Sequence, residues 1–395
     1  MKPKYSLIFL FLLLINPQGL TAEIRIRLFY PNLINSVMIN CPAGSYSLVS
    51  PGYDDKSIKD GDNIFIRVYQ DALWMREKNG EWSQVQDVLF APMAERSSLR
   101  FKPDLPVLHS REYLGKIKAS LSHGNIELIN IIDLEQYIMG VVMSEAGPSV
   151  PDGFYKVQAI ICRTYAIKNL EKHLSENYNL CDDVHCQAYN GMHHWNENIE
   201  IAVEVTEGLI ITDSDSVPVI AAFHSNSGGE TQASEKVWLT PMPYLKAVLD
   251  PFSIGQPNEK WEVVISAAEW FDYLKNNGFT IGKKPDYRRF ESTQQHRAKY
   301  YQVGEKKLEC RKIREDWNLK SAFFSVVFKD DSFHLKGKGY GHGVGLSQEG
   351  AINMARKGYH YTEILNFYYY NIHIIDYRLL KDPISFLQNH EDLNE

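Results

Sequence analysis

Cysteine is scarce in this chain, and so is any excess of positive charge. Five cysteines in 395 residues (Cys41, Cys162, Cys181, Cys186 and Cys310) are too few to build a disulfide scaffold, and their odd number leaves at least one unpaired. A buried apolar core must therefore hold the fold. The formal net charge of -7 argues against a basic nucleic-acid binder, so no nucleic-acid partner is expected. Repeats and low-complexity tracts are lacking, and a chain that is 44% hydrophobic and 23% charged is neither disordered nor polytopic. The longest apolar run, residues 7–15, is about half of the roughly 20 residues that cross a bilayer as a helix. Preceded by Lys2 and Lys4 and followed by Leu20, Thr21 and Ala22, it reads as a secretory signal peptide over 1–22. Its removal takes away both lysines and moves the net charge from -7 to -9. The expected location is the periplasm or the extracellular cell-wall space.

After the leader, alternating or β-branched stretches at 23–29, 36–40, 46–50, 63–69 and 85–90, separated by Gly and Pro turns, predict a β-rich N-terminal domain over 23–110. A further strand pair is predicted at 115–121 and 125–132. From 151 the apolar residues Phe154, Val157, Ile161, Tyr165 and Leu170 recur at helical spacing, predicting one long helix of about seven turns to Asn177, capped by Ser149 or Asp152. Strands are expected again at 208–212 and 217–223, and two helices at 347–356 and 362–370, broken by Gly358. The fold class is α+β, with a mixed α+β region over 111–380, a variable insertion at 252–314 and a tail at 381–395.

Three segments carry the chemistry. The first runs from Leu134 through Ser144 and Glu145 to the helix residues Gln158, Arg163, Thr164 and Tyr165. The second is His224-Ser225-Asn226-Ser227-Gly228-Gly229, followed by Val237-Trp238. The third is Gly339-Tyr340-Gly341-His342-Gly343-Val344-Gly345-Leu346-Ser347-Gln348. In this order they resemble the stage II sporulation protein D and amidase-enhancer family of cell-wall proteins. The resemblance implies a lytic transglycosylase acting on the glycan strands of peptidoglycan, with Glu145 at the position of the catalytic glutamate. It equally admits an amidase enhancer that binds the wall without cleaving it and works with a separate cell-wall amidase. Ala146-Gly147-Pro148 departs from the family's commoner methionine-proline after the glutamate.

Read from the residues alone, Glu145 follows the apolar stretch 137–143, and a carboxyl held against apolar surroundings keeps the proton that a general acid needs. The alternative is a solvated glutamate near a helix N-terminus. His224, Ser225, Ser227 and Gly228 are expected on a groove wall, with His342 and Gln348 as further substrate contacts. His224 and Ser225 are adjacent on an extended segment and point to opposite faces, which argues against a Ser-His triad there. The Gly339–Gly345 loop lacks a P-loop lysine and dinucleotide spacing, so no organic cofactor is expected. Cys181, His185 and Cys186 place two thiols and an imidazole within six residues, suited to structural zinc. His173 is the candidate fourth ligand, with His193 and His194 in reserve. A Cys181–Cys186 disulfide is the alternative.

Overall fold

In Asn63–Tyr69 every second side chain is apolar, with Ile64 and Ile66 buried and Val68 partly so, and the segment forms a strand over the predicted span. The same alternation, repeated along the first third of the chain, builds two sheets in the computed structural model, which describes residues 22–192, 196–238 and 240–380. Residues 1–21 of the expected leader, the reserve ligands His193 and His194, and the expected tail 381–395 lie outside the described residues.

One sheet has seven strands in the order Leu180–Cys181, Glu23–Arg27, Asn125–Asp133, Lys116–Ser122, Asp87–Pro92, Ser45–Ser50, Tyr53–Lys59. The other has six, ordered Arg111–Tyr113, Ser98–Leu105, Ser36–Ala43, Asn63–Tyr69, Ala72–Glu77, Ser83–Val85. Their inward residues, among them Ile26, Ile66, Phe90 and Phe101, share one core, with the Phe90 and Phe101 rings edge-on at 6.4 Å. Position 110, the expected domain boundary, falls inside this sandwich. Strands on both sides of it pair in the same sheets.

Seven helices follow among the described residues: α1 (Leu134–Ala146), α2 (Asp152–Lys168), α3 (Glu197–Val205), α4 (Ala267–Asn276), α5 (Cys310–Asp316), α6 (Gln348–Arg356) and α7 (Tyr361–Tyr368). The architecture is α+β, as the sequence indicates. α2 is shorter than the predicted 151–177, because Asn169 turns the chain there. Its backbone N–H reaches the Tyr165 and Ala166 carbonyls, and its side chain donates to Tyr165 O at 2.8 Å. Leu170 still packs in the core, so the apolar pattern outruns the helix. Neither Ser149 nor Asp152 caps α2; Pro151 occupies the cap position without a side-chain bond. The predicted strand at 217–223 is reduced to Phe223–His224, with a single bridge from Thr212 to Pro218.

α2 runs between two cores. Tyr155, Ala159 and Cys162 face the sandwich side, whereas Phe154, Val157, Ile160 and Ile161 join α6 and α7 in the second core. The predicted insertion folds around a third core. There Trp270 of α4 and Ile313 of α5 pack on the antiparallel strands Lys260–Ser266, Ser332–Lys338 and Phe324–Lys329. Two of those strands lie beyond 314.

Candidate active site and metal centre

Asp133 starts α1 by accepting the backbone N–H groups of Glu135 (2.9 Å) and Gln136 (3.2 Å), filling bonds that a helix start leaves open. Arg163, wholly buried on α2, then fixes the tilt of α1. Its Nε donates to Glu135 Oε1 at 2.8 Å and its Nη1 to the Leu209 carbonyl at 3.0 Å. Thus Arg163 acts as a tie at the far end of the helix from Glu145.

At Gly140 a Cβ would sit 2.4 Å from the Tyr189 ring, so glycine is what lets the 186–190 loop lie on α1. That loop is pinned by Tyr189 Oη donating to Asn130 Oδ1 (2.9 Å) and by the Asn190 N–H donating to Ser144 Oγ (3.0 Å). Just before these two anchors the Ala188 N–H points at Glu145 Oε1, 3.4 Å away. Glu145 is half-buried in the last turn of α1. Burial pushes its carboxyl above the ordinary glutamate range, opposed by that one long amide bond. It is therefore not the freely solvated side chain of the alternative reading.

The same loop begins at a cluster of donors. His173, Cys181, His185 and Cys186 bring one ligand atom each to within 4.8 Å of one another. Cys186 Sγ lies 3.5 Å from His173 Nε2 and 3.9 Å from His185 Nδ1, and Cys181 Sγ lies 3.6 Å from His185 Nδ1. A tetrahedral zinc with its usual bond lengths sets N···S edges of about 3.5 Å, so this donor set fits the ion. No S–S bond joins the two sulfurs in this structure. Cys186 is held below the usual thiol range, chiefly by the hydrogen bond from Cys181, and that bond raises Cys181.

Glu176, which the sequence did not single out, accepts from His173 Nδ1 at 2.7 Å and leaves Nε2 facing the sulfurs. Outer carboxylates commonly orient metal-binding imidazoles in this way. The Tyr178 ring stacks on His173 at 4.8 Å, and the Tyr30 ring on His185 at 5.7 Å.

The two glycine-rich segments form a different assembly. Strand Phe223–His224 pairs in parallel with Leu346–Ser347, and Asn226 and Tyr340 exchange both backbone bonds (3.1 and 2.8 Å). A Cβ on Gly228 would meet Gly339 N at 2.7 Å, so the loops touch only because both lack side chains there.

Inside this contact most polar groups are already engaged, although the buried His224 Nε2 has no hydrogen-bond partner. Ser227, expected on a groove wall, is wholly buried; its hydroxyl donates to Asp250 Oδ2 (2.7 Å) and lies 2.8 Å from Ser253 Oγ. The Gly228 N–H donates to Asn226 Oδ1 at 2.7 Å. His224 is buried, its Nδ1 3.2 Å from the Val344 carbonyl, and burial keeps it neutral far below the ordinary histidine range. His342 is half-buried beside Trp238 (5.6 Å) and His224 (5.5 Å). Its Nδ1 accepts the Val344 N–H at 3.0 Å, and burial lowers its pKa to about 4.

Ser225 and Gln348 are half-buried at the rim, with Ser225 Oγ accepting from Asn258 at 3.3 Å. Arg297, from the predicted insertion, donates to the carbonyls of Glu230 (2.7 Å) and Ser227 (2.6 Å) and so locks the loop from behind. Among the described residues no hydrogen bond or ion pair joins Glu145 to either glycine-rich loop.

A family model described as stage II sporulation protein matches residues 122–212, the stretch that holds Glu145 and the four metal-type donors. Stage II sporulation protein D of Bacillus subtilis is 32% identical over 256 residues, covering 60% of this chain and 73% of that protein. An uncharacterized protein of Brachyspira hyodysenteriae is 28% identical across 68% of this chain and 74% of its own length. The amidase enhancer of Bacillus subtilis is 28% identical, but this chain spans only 39% of it. With three quarters of a curated relative covered at this identity, and the motif-bearing helices inside the match, the chain belongs to the stage II sporulation protein D family.

Proposed function

We propose that this protein is a lytic transglycosylase of peptidoglycan glycan strands, exported by its leader, in which Glu145 serves as acid and then as base. The observation that carries the reading is the single half-buried carboxyl at the end of α1, raised by burial and held by one long amide bond. A protonated Glu145 gives its proton to the bridging glycosidic oxygen, and that C–O bond breaks. The resulting carboxylate then takes the proton of the C6 hydroxyl of the muramic sugar, whose oxygen closes on C1 to form a 1,6-anhydro ring. One carboxyl suffices because no water is added, unlike hydrolytic glycosidases with two.

Ser225, Gln348 and the open edge of His342 are proposed to contact neighbouring sugars, while His224, Ser227 and Gly228 hold the loop that presents them. His173, Cys181, His185 and Cys186 are proposed to hold structural zinc. That ion supplies no step of the cleavage; its ligands fix the loop that ends in the Ala188 N–H.

Mass analysis of peptide-free glycan strands incubated with protein starting at residue 23 tests the reading. Anhydro-muramoyl products are expected from the parent and not from Glu145→Gln. Undiminished product from the variant removes Glu145 from the mechanism. The relative named amidase enhancer supports a second reading, a wall-binding partner of an amidase. In that case Glu145→Gln stimulates an added amidase as well as the parent does, and neither releases anhydro sugars.

A further inference from the structure

The outer face of the six-stranded sheet is built unlike the rest of the surface. Strand Asn63–Tyr69 turns Phe65, Arg67 and Tyr69 outward, and its neighbour Ala72–Glu77 turns out Trp74 and Arg76. Phe65 stands directly opposite Arg76, and Arg67 opposite Trp74, so ring and guanidinium alternate across the pair. Trp82 folds back over both cations, with Arg67 4.0 Å and Arg76 5.1 Å from its ring. Stacking of this kind lays the planar guanidinium groups against the ring and leaves their edges as donors.

Most of those donors are unspent; among the described residues the one bond they make is from Arg76 Nη1 to the Lys78 carbonyl, at 3.2 Å. The Nε atoms of Arg67 and Arg76 are buried with no hydrogen-bond partner, and among the described residues no carboxylate pairs with either side chain. Lys102 extends the same face through Met38, which pairs with Phe65 on one side and with Lys102 on the other. A basic patch on a chain of net charge -7 is a local reversal of sign.

We infer that this aromatic and arginine-lined face is a second glycan-binding surface, specific for sugar chains that carry carboxylates, and non-catalytic. Flat rings take the apolar face of a pyranose, and a guanidinium takes a carboxylate through two parallel N–H bonds. A membrane fits less well, because the rings lie under the cations instead of projecting as apolar wedges; only Tyr69 is largely exposed. The inference extends the proposed function by naming where the strand is held away from Glu145, and it stands apart from the cleavage chemistry.

The test uses the full chain from residue 23 in a Glu145→Gln background, so that nothing is turned over. Titration calorimetry with peptide-free glycan strands, which bear free muramic carboxylates, is compared with neutral chitin oligosaccharides and with sedimentation on anionic vesicles of phosphatidylglycerol. Arg67→Gln with Arg76→Gln is expected to weaken acidic-strand binding at least tenfold, and Lys102→Glu by a smaller factor. Neutral-oligosaccharide affinity should stay constant. Circular dichroism checks folding, and Lys102→Glu, at an exposed position, stands in if the double variant is unfolded. Unchanged binding of the acidic strand, equal loss for neutral sugar, or vesicle binding lost through these residues while strand binding persists would each overturn the inference. All these outcomes leave the Glu145 product assay free to succeed or fail separately.

Discussion

The loop 181–190 and the paired loops at 224–229 and 339–345 both set histidine among polar residues, yet they use it in different ways. In the first, four ligand atoms converge within 4.8 Å, and a carboxyl beside them has one weak donor. In the second, Ser227, Asn226, Asp250 and Ser253 bond to each other, and the two histidines are bonded to the backbone. Histidine occurs in both places; converging ligand atoms mark the first, whereas bonds within the loops mark the second, with only the buried His224 Nε2 left over among the loop atoms described. A buried polar group that already has its partners stabilises a shape, whereas one without them costs free energy unless a ligand supplies the bond.

The largest test of this contrast is Glu145→Gln. Loss of a general acid should lower anhydro-product formation by at least about 100-fold. Because the folded carboxyl titrates above its unfolded value, the native state holds that proton more tightly. Its favourable share of stability is complete below the unfolded pKa and disappears as pH rises through the folded one. The variant should therefore melt no lower than the parent at neutral pH, and a clear drop would recast Glu145 as framework. The parent's product formation should also persist to higher pH than an ordinary carboxylic acid allows, then fall as the proton is lost.

Next comes the metal cluster. Adding zinc to stripped protein should bind one ion per chain and raise the melting temperature by roughly 5–10 °C, the size expected for a ligand well above its Kd. Cys186→Ser should remove both effects. Protein that binds no zinc and has no titratable thiols at these positions would break the reading in favour of a disulfide.

Ser227→Ala probes the other side of the comparison. It takes away the 2.7 Å donor of buried Asp250 and should cost about 1–3 kcal/mol in urea unfolding, with product formed per folded molecule unchanged. A fall in turnover without a fall in stability would move Ser227 back to the substrate. The smallest effect is at His342: NMR titration should show a neutral ring from pH 8 down to 5 and a midpoint of about 4. An ordinary midpoint near about 6.5 would mean the ring is open to solvent.

How much was legible in the sequence follows from the range of the interactions. Strands of the sandwich announce themselves by alternation, and Asn63–Tyr69 has the predicted ends. The α2 terminus was missed because Leu170 continues the apolar rhythm past Asn169, and core burial does not require helix. His173 was legible as a companion to Cys181 and Cys186 because the helix end brings it back within a few residues. Asp250 and Arg297 were not, since their partner Ser227 lies 23 and 70 residues away and no periodicity links them. Ala188 could not be found by residue type at all: what it contributes is a backbone N–H. The basic face was hidden for a similar reason, because Arg67 and Trp82 approach each other only after the sheet has formed.

The first strand, Glu23–Arg27, sits between Asn125–Asp133 on one side and Leu180–Cys181 on the other. This strand therefore has no complete set of neighbours until about 150 further residues have appeared, an arrangement that delays closure of the sheet. A fusion partner or deletion at this end would disturb the seat of Cys181 as directly as a change in its own loop.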